Sequence, residues 1–335
     1  MLDVVTIGSA TRDGFFEGID FISPRGDCFI TGKGICLPLG TKIQVPQVYF
    51  LTGGGATNTA ITFRRLGLKT ATICRLGKDI SGETITREQK AEGVNTQFIQ
   101  VDRDIPTAYS VIFISSLGER TILSYKGCAE KLSFKEIPLK KLKTKWLYLG
   151  SLGKNKNILK KFIQYAVSQK IKLAINPGKQ ELIWLQRNLS WLHYFDVVIC
   201  NQEEAAYFTG IPYKKEKQIF KRLDDLVQGI IVMTKGVKGV SVSNGKYIWQ
   251  AGVYKKKKIK DMTGAGDAFA SAFVSVLIRE NKEDGKTIQE AIRVGSANAV
   301  SVIEHIGAKP GILFKKNLKK FSFQKLAIKK IKLKY

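Results

Sequence analysis

The second half of the sequence alternates between short apolar runs and helix-like segments, and this alternation constrains the fold most strongly. Apolar runs typical of buried strands occur at KWLYLGS, IKLAINP, DVVICN and GIIVMTKG, and segments with helical spacing separate them. Strands that alternate with helices in this way form a mostly parallel sheet covered on both faces. The pattern therefore predicts a three-layer α/β/α fold, with another buried strand at VVTIG near the start.

Two early segments do not follow this alternation. The first is punctuated by glycine and proline, and the second contains β-like runs such as AYSVIFI and RTILSY. Short strands joined by turns are typical of a separate small sheet. We therefore predict a core of residues 1–13, 51–96 and 128–314, a discontinuous β-sheet lid of residues 14–50 and 97–127, and a basic C-terminal tail of residues 315–335.

Basic residues far outnumber acidic ones, 55 against 28, for a formal net charge of +27. Such an excess favours anionic ligands and raises the hypothesis of nucleic-acid binding. The lysines are nevertheless spread along the whole chain. Their densest runs, at 255–260 and after Lys315, carry no recognisable recognition helix or aromatic stacking surface. We therefore expect anionic ligands in general and no nucleic-acid partner.

Cysteine and histidine usage argues against a zinc site. The 5 cysteines form no CxxC pair, and the 2 histidines, His193 and His305, lie far apart in the sequence. An odd number of cysteines without an apolar leader favours reduced thiols in a cytoplasmic protein. No apolar run reaches the ~18 residues of a membrane span, so we expect no membrane partner.

The stretch DMTGAGDAFASAF, residues 261–273, carries the strongest indication of chemistry. Small and apolar residues from Ala268 onwards predict a buried helix that begins near Gly264–Gly266. First-turn amides have no intrahelical partner, and an anion can approach them closely where side chains are absent. Asp267 would stay ionised there, because the helix dipole favours its negative charge. An anion cradle beside a carboxylate suits phosphoryl transfer, with the carboxylate as general base.

DMTGAGDAF resembles the DTxGAGDxF signature of the PfkB, or ribokinase-like, carbohydrate kinases. The resemblance extends in the same order over nearly the whole chain. It implies a ribokinase-like three-layer α/β/α fold with a mostly parallel central sheet and a small β-sheet lid. It also implies an ATP-dependent kinase in which Asp267 is the catalytic base, with Gly264, Ala265 and Gly266 as the anion hole.

Three further segments are similar to the parts of the family that bind the acceptor. GSATRD resembles the first strand and turn, which implies that Asp13 binds hydroxyl groups. GGGATNTA resembles the GGxxxN sugar-binding motif and implicates Gly54, Gly55 and Asn58, although an ordinary glycine loop is the alternative. An asparagine amide can donate and accept, which suits neighbouring sugar hydroxyls. The strand WLYLGS ends at Ser151, whose position implies a further contact with the acceptor. Ribokinase itself has a glutamate directed at the sugar there, so ribose is not implied.

Three segments are similar to the nucleotide-binding parts of the family. NQEE resembles its NxxE motif, which implies that Asn201 and Glu204 position phosphate and magnesium, the latter through water. A helix-capping asparagine with surface acids is the alternative. TKGVKG resembles the TxGxxG nucleotide loop and implicates Thr234 and Gly236. ANAVSVIEHIGAKPG resembles the stretch beside the adenine and implicates Asn298.

Asp261 matches an acidic position that binds a monovalent cation in many family members. Carbonyl oxygens around residues 307–311 would supply the remaining ligands. K⁺ is therefore implied as a further cofactor, to be tested by exchanging it for sodium or choline.

The sequence thus predicts a kinase that uses ATP and Mg²⁺ to phosphorylate an alcohol group of a sugar or nucleoside. The chain contains neither the P-loop motif GxxxxGK[ST] nor the HRD and DFG motifs of protein kinases. The alternatives are a nucleoside kinase of the adenosine type, and a pseudokinase that binds a ligand or nucleic acid without turnover. Open edges of the lid predict a homodimer.

Overall fold

A computed structural model describes residues 1–19, 21–27, 29, 32–114, 120–153, 157–255, 259–318 and 326–333. Parts of the segments named above lie outside this range: residues 20, 28, 30–31 and 115–119 of the predicted lid, residues 154–156 of the predicted core, residues 256–258 of the basic run, and residues 319–325 and 334–335 of the tail. No helix in the described ranges is both long and apolar enough to cross a membrane.

The predicted parallel sheet is present, and within the residues that the structure describes it has nine strands, in the order β15-β14-β13-β12-β11-β10-β9-β1-β4. Its six parallel strands are β1 (Leu2–Ile7), β4 (Thr70–Ile73), β9 (Thr144–Leu149), β10 (Lys172–Ile175), β11 (Val197–Asn201) and β12 (Ile230–Thr234). Three antiparallel strands follow along one side, β13 (Val240–Ser243), β14 (Tyr247–Ala251) and β15 (Ile328–Lys332). Apolar side chains cover both faces of the parallel strands, as expected for a sheet buried between helices.

Helices lie on both faces of this sheet. One layer contains α3 (Ile158–Ser168), α4 (Lys179–Gln186), α5 (Gln202–Thr209) and α6 (Glu216–Asp224), which share an apolar core with the sheet. The other contains α1 (Gly55–Arg65), α7 (Ala265–Glu280) and α8 (Gly285–Ile303) around a second core. A further helix, α2 (Ile80–Ala91), connects β5 (Arg75–Gly77) to β6 (Gln100–Asp102), and these two strands form a small parallel sheet.

A separate four-stranded sheet contains β3 (Gln47–Gly53), β2 (Thr11–Glu17), β7 (Ala108–Ile114) and β8 (Arg120–Tyr125), in that order. We call it the lid sheet. The register pairs Asp13 with Ser110, and Phe15 with Ile112, so these residues share one face. Phe15, Ile112 and Ile114 on that face pack with Ile306 of the segment after α8. The opposite face carries Val48, Phe50, Leu123 and Tyr125, which are exposed.

The segment after Lys315 was expected to be a basic tail, yet its described part contributes strand β15 to the edge of the large sheet. Its sequence, IKKIK, has no apolar run, but pairing requires only backbone groups, which the edge of β14 offers. Lys330 lies over the ring of Tyr247, with its ammonium 3.8 Å from the ring centroid. The lid begins at Thr11, so Asp13 lies within it. The domain boundaries otherwise stay a prediction.

Candidate active site

The loop before α7 makes a sharp turn at Gly264. This residue has φ 76°, the left-handed region that glycine adopts without strain. A Cβ at this position would lie 2.3 Å from the Cβ of Ala308, so the neighbouring segment also excludes a side chain. First-turn amides lack intrahelical acceptors, and here the Ala265 amide donates to the Met262 carbonyl at 3.3 Å. A Cβ on Gly266 would meet open space, so an anion could approach its backbone.

Asp267 lies in the first turn of α7, facing the start of α1. Its Oδ2 accepts a hydrogen bond of 2.9 Å from Asn58 Nδ2, and a Cβ on Gly55 would lie 3.8 Å from its Oδ1. Burial raises the pKa of the Asp267 carboxyl, and the Asn58 hydrogen bond opposes that rise. A carboxylate with a raised pKa is a stronger proton acceptor than an ordinary aspartate.

Asn58 is 4% exposed and has an unused acceptor. Its Nδ2 is engaged by Asp267, whereas no hydrogen bond within the described residues reaches its buried Oδ1. Buried polar atoms are normally paired, so an unpaired one beside a carboxylate suits a ligand hydroxyl.

The glycine loop before Asn58 has little room. Gly54, the N-cap of α1, has φ 97°, and a Cβ there would lie 2.5 Å from Ala10 Cα. The Gly55 amide donates to Ser9 Oγ at 3.2 Å. The loop therefore holds the start of α1 against the connection between β1 and β2.

Asp13 lies on the core-facing side of the lid sheet and is 5% exposed. Its Oδ1 accepts from Thr11 Oγ1 at 3.4 Å. Burial raises the pKa of the Asp13 carboxyl, while a hydrogen bond from Ser110 and the positive charge of Lys309 oppose the rise. Asp13 thus contributes a carboxylate to the face of the lid that packs on the core.

Thr234 and Gly236 line a cavity together with Ala265 and Gly266. Thr234 ends β12, so the cavity opens at the carboxyl edge of the sheet, where ligands bind in open α/β folds. The remaining lining is largely apolar and comes from the loop between β12 and β13, the segment after β14, the first turns of α7 and one side of α8. It comprises Val237, Gly239, Gly252, Val253, Tyr254, Ile259, Met262, Phe269, Ser296, Ala299, Val300 and Ile303.

Asn201 and Glu204 form a reciprocal cap on α5. Asn201 Oδ1 accepts from the Glu204 amide, and Glu204 Oε2 accepts from the Asn201 amide, both at 2.8 Å. Asn201 pairs with Thr234 across the parallel strands, so the cap lies next to the cavity strand. Burial raises the pKa of the Glu204 carboxyl. Across the described ranges, no group of three or more His, Cys, Asp or Glu side chains is placed to hold a metal ion.

Two predicted residues lie apart from these groups. Asn298 is fully buried; its Nδ2 donates to the Ala268 carbonyl at 2.8 Å and its Oδ1 accepts from the Leu313 amide at 2.9 Å. It is not among the residues that line the cavity. Ser151 follows β9, and a Cβ on Gly178 would lie 2.9 Å from its Oγ. No hydrogen bond among the described residues joins Ser151 to Asp267.

Asp261 is surrounded by donors. Its Oδ1 accepts from the Thr263 amide at 2.9 Å, from Thr263 Oγ1 at 2.7 Å and from Arg120 Nη1 at 3.2 Å. Its Oδ2 accepts from the Gly307 amide at 2.9 Å. Arg120 is the first residue of β8 and was not predicted from the sequence, because its partner lies 141 residues away.

Lys309 is a second charged residue that the sequence did not indicate. It is 4% exposed, and its ammonium donates to Thr52 Oγ1 at 2.5 Å and to Glu88 Oε2 at 2.7 Å. Burial lowers the pKa of Lys309, and the charges of Glu88 and Asp13 oppose that change. Lys309 therefore ties the segment after α8 to the lid sheet and to α2. No local pattern around GAKPG predicts a buried lysine.

Comparison with known proteins gives a match between residues 19–313 and the pfkB family carbohydrate kinases. Ribokinase from Dictyostelium discoideum is 26% identical over 289 residues, which cover 80% of this chain and 88% of that protein. A nucleoside kinase from Methanocaldococcus jannaschii, an archaeal member of the ribokinase family, has a TM-score of 0.76 at 21% identity, covering 97% of this chain and 99% of its own. Ribokinase from Arabidopsis thaliana, complexed with ribose and ATP, has a TM-score of 0.74 at 21% identity, covering 96% and 98%.

Because the family match spans most of the sequence, the chain belongs to the pfkB family of carbohydrate kinases, which are phosphotransferases with an alcohol group as acceptor. The family predicted from DMTGAGDAF is thereby confirmed. The ribokinase-like fold is confirmed too, since the two structures cover nearly the whole chain.

Proposed function

We propose that this protein uses ATP to phosphorylate an alcohol group of a sugar or nucleoside, with Asp267 as the general base. The observation that carries the proposal is the pairing of Asp267 with Asn58 beside the open backbone of Gly266. A carboxylate with one side-chain donor, next to amides at a helix start, joins a base to an anion site.

The acceptor would be held by Asp13 and Asn58. The unpaired Oδ1 of Asn58 and the buried carboxylate of Asp13 are both suited to accept from hydroxyl groups. Gly55, which has no side chain on the side that faces Asp267, would let the acceptor lie against the backbone at the start of α1, and Gly54 would support the acceptor site by packing against Ala10. Because hydroxyl groups occur in sugars and nucleosides alike, these contacts leave both acceptor classes open. Ser151 is proposed as a further contact at the same sheet edge.

The nucleotide would lie in the cavity lined by Thr234 and Gly236, with its terminal phosphate at Gly264–Gly266. Its base would occupy the apolar part near Ala299 and Val300. In this proposal Asn298 does not touch the nucleotide. It holds α8 against α7 through its hydrogen bond to the Ala268 carbonyl and so supports the wall of the cavity.

Mg²⁺ would be held mainly by the phosphates, with Glu204 reaching it through water. The position of Asn201 beside Thr234 supports this role, because it brings the cap of α5 next to the end of β12, where the nucleotide would bind. When bound, the ion would neutralise charge on the transferred group.

In the reaction, Asp267 accepts the proton of the acceptor hydroxyl as its oxygen bonds to the terminal phosphorus. The bond from phosphorus to the ADP oxygen breaks, and ADP leaves with that electron pair. The amides at Gly264–Gly266 stabilise negative charge on the transferred group. The lid sheet, through Asp13, orients the acceptor and excludes water that would otherwise compete.

The test is ADP release from ATP and Mg²⁺ across a panel of ribose, fructose, fructose phosphates, 2-keto-3-deoxygluconate, adenosine and other nucleosides. Asp267→Asn serves as the blank. We expect one acceptor to exceed the blank clearly, which identifies the substrate. Silence across the panel with ATP still bound would favour a ligand-binding pseudokinase.

We also propose a homodimer through the outer face of the lid sheet. Phe50 and Leu123 there are 54% and 57% exposed, and exposed apolar faces of this kind mark interaction sites. Light scattering should give a molecular mass of about twice the 37.3 kDa of one chain, and the Phe50→Glu variant should have the mass of a single chain. Val167→Glu, at an equally exposed site on α3, is the control. A monomeric unaltered protein would contradict the dimer.

A cytoplasmic location completes the proposal. Cys74 and Cys128 are buried free thiols, and burial raises their pKa values to about 12 and about 11. Thiols that stay protonated react slowly and suit a reducing compartment. Cell fractionation tests this assignment.

A further inference from the structure

Arg120 belongs to the lid sheet but reaches the loop that precedes α7. In the register of the sheet it pairs with Ile114, which pairs with Glu17, so it shares the core-facing side with Asp13. Its guanidinium donates to Asp261 Oδ1 at 3.2 Å, and the side chains of Arg120 and Asp261 are 35% and 3% exposed. A charge from the lid therefore meets a buried carboxylate of the core.

Asp261 connects this charge to the anion cradle. The carboxylate accepts from both the amide and the hydroxyl of Thr263, the residue directly before Gly264. It also accepts from the amide of Gly307, whose neighbour Ala308 packs against Gly264. The two segments that shape the anion cradle, the loop before α7 and the segment after α8, are therefore both hydrogen-bonded to the Asp261 carboxylate. Arg120 supplies a positive charge next to that carboxylate.

The residues around Asp261 do not fit the monovalent cation that the resemblance implies. Oδ1 already has three donors, more than its two lone pairs accommodate well. A cation at Oδ2 would share the carboxylate with the guanidinium, and the two positive charges would repel each other.

We propose that Arg120 is a positioning residue for phosphoryl transfer, and that its guanidinium takes the place at Asp261 where a monovalent cation was expected. The inference rests on the proposed function. It makes the lid sheet part of the anion cradle, because the guanidinium that orders the loop before α7 belongs to Arg120 on β8. It also makes turnover independent of K⁺.

The experiment compares ADP release in KCl, NaCl and choline chloride at equal ionic strength, with the acceptor found by the panel. We expect the unaltered protein to turn over equally in all three salts. Arg120→Ala should lose about tenfold to a hundredfold in kcat in choline, the scale of a misplaced catalytic loop, and KCl should restore part of it. Arg120→Lys should retain more activity than Arg120→Ala, without a response to K⁺.

Arg103→Ala is the matched control, because it removes the same charge from an exposed position in the segment before β7. It should behave like the unaltered protein. A second readout is the melting temperature with ADP bound, which KCl should raise relative to choline only in Arg120→Ala.

Stimulation of the unaltered protein by K⁺ would overturn the proposal, as would an Arg120→Ala variant that matches Arg103→Ala in choline. A protein without turnover on any acceptor would count against the proposed function instead. In that case the melting temperatures still decide the assignment of Arg120, since they need no acceptor.

Discussion

Asp261 and Asp267 lie on either side of the same glycine turn, yet their surroundings differ in kind. The Asp261 carboxylate accepts four hydrogen bonds from Thr263, Gly307 and Arg120. The Asp267 carboxylate accepts one side-chain hydrogen bond among the described residues, from Asn58, and faces the glycine loop at α1.

The different surroundings suit Asp261 to a structural role and Asp267 to proton transfer. A carboxylate that already accepts several hydrogen bonds is fixed in place, whereas one with free lone pairs and a pKa raised by burial is suited to take a proton. One short stretch thus carries an acid that shapes the cradle and an acid that can use it.

Replacing Asp267 should produce the largest effect. We expect Asp267→Asn to lower kcat by about 10² to 10⁴, because the proposed general base is lost, with little change in nucleotide binding or melting temperature. Steady-state ADP release and thermal unfolding measure both. Asp225→Asn, an exposed acid at the end of α6, is the control. Near-normal turnover in Asp267→Asn would show that Asp267 is not the general base.

Replacing Asp261 should reverse the pattern, with stability lost first. Asp261→Asn leaves the guanidinium of Arg120 without its charge partner and turns an acceptor into a donor. We expect the free energy of unfolding to fall by about 2 to 3 kcal/mol, below the range for a fully buried pair because Arg120 is 35% exposed. Urea unfolding measures the change. Unfolding that matches the unaltered protein would show that the four hydrogen bonds contribute little.

The smallest effect concerns pH. If Asp267 is the general base, as proposed, it must be ionised, so we expect kcat to rise as pH rises through the pKa of Asp267, which burial raises above the ordinary value of 3.8. The Asn58 hydrogen bond lowers that pKa, so Asn58→Ala should move the acid limb of the profile to higher pH. A pH series of kcat at saturating acceptor tests the direction. An acid limb that stays in place, or moves to lower pH, would contradict the claim that the Asn58 hydrogen bond lowers the pKa of Asp267.

Features that depend on neighbouring residues could be predicted from the sequence. The alternation of strands and helices predicted the parallel sheet, and the small and apolar residues after GAGD predicted a buried helix beginning near residues 264–266, where α7 starts. The glycines before Asn58 indicated a glycine loop, and in the structure this loop leads into α1.

Features that depend on distant partners could not be predicted. Arg120 meets Asp261 across 141 residues, and Lys309 meets Thr52 across 257 residues. A single lysine or arginine looks the same locally whether it lies in solvent or opposite a buried carboxylate. The strand β15 was missed for a related reason, since edge pairing depends on backbone groups and leaves no apolar pattern.

Strand β15 also bears on how copies of this protein behave at high concentration. An outermost strand presents unpaired amide and carbonyl groups that can recruit a strand from another molecule and begin a fibre. Here that strand carries Lys329, Lys330 and Lys332, all exposed. Two such strands that approach each other bring like charges together before any backbone bond can form. The lysines that looked like compositional bias in the sequence thus act as a guard against self-association at this border of the sheet.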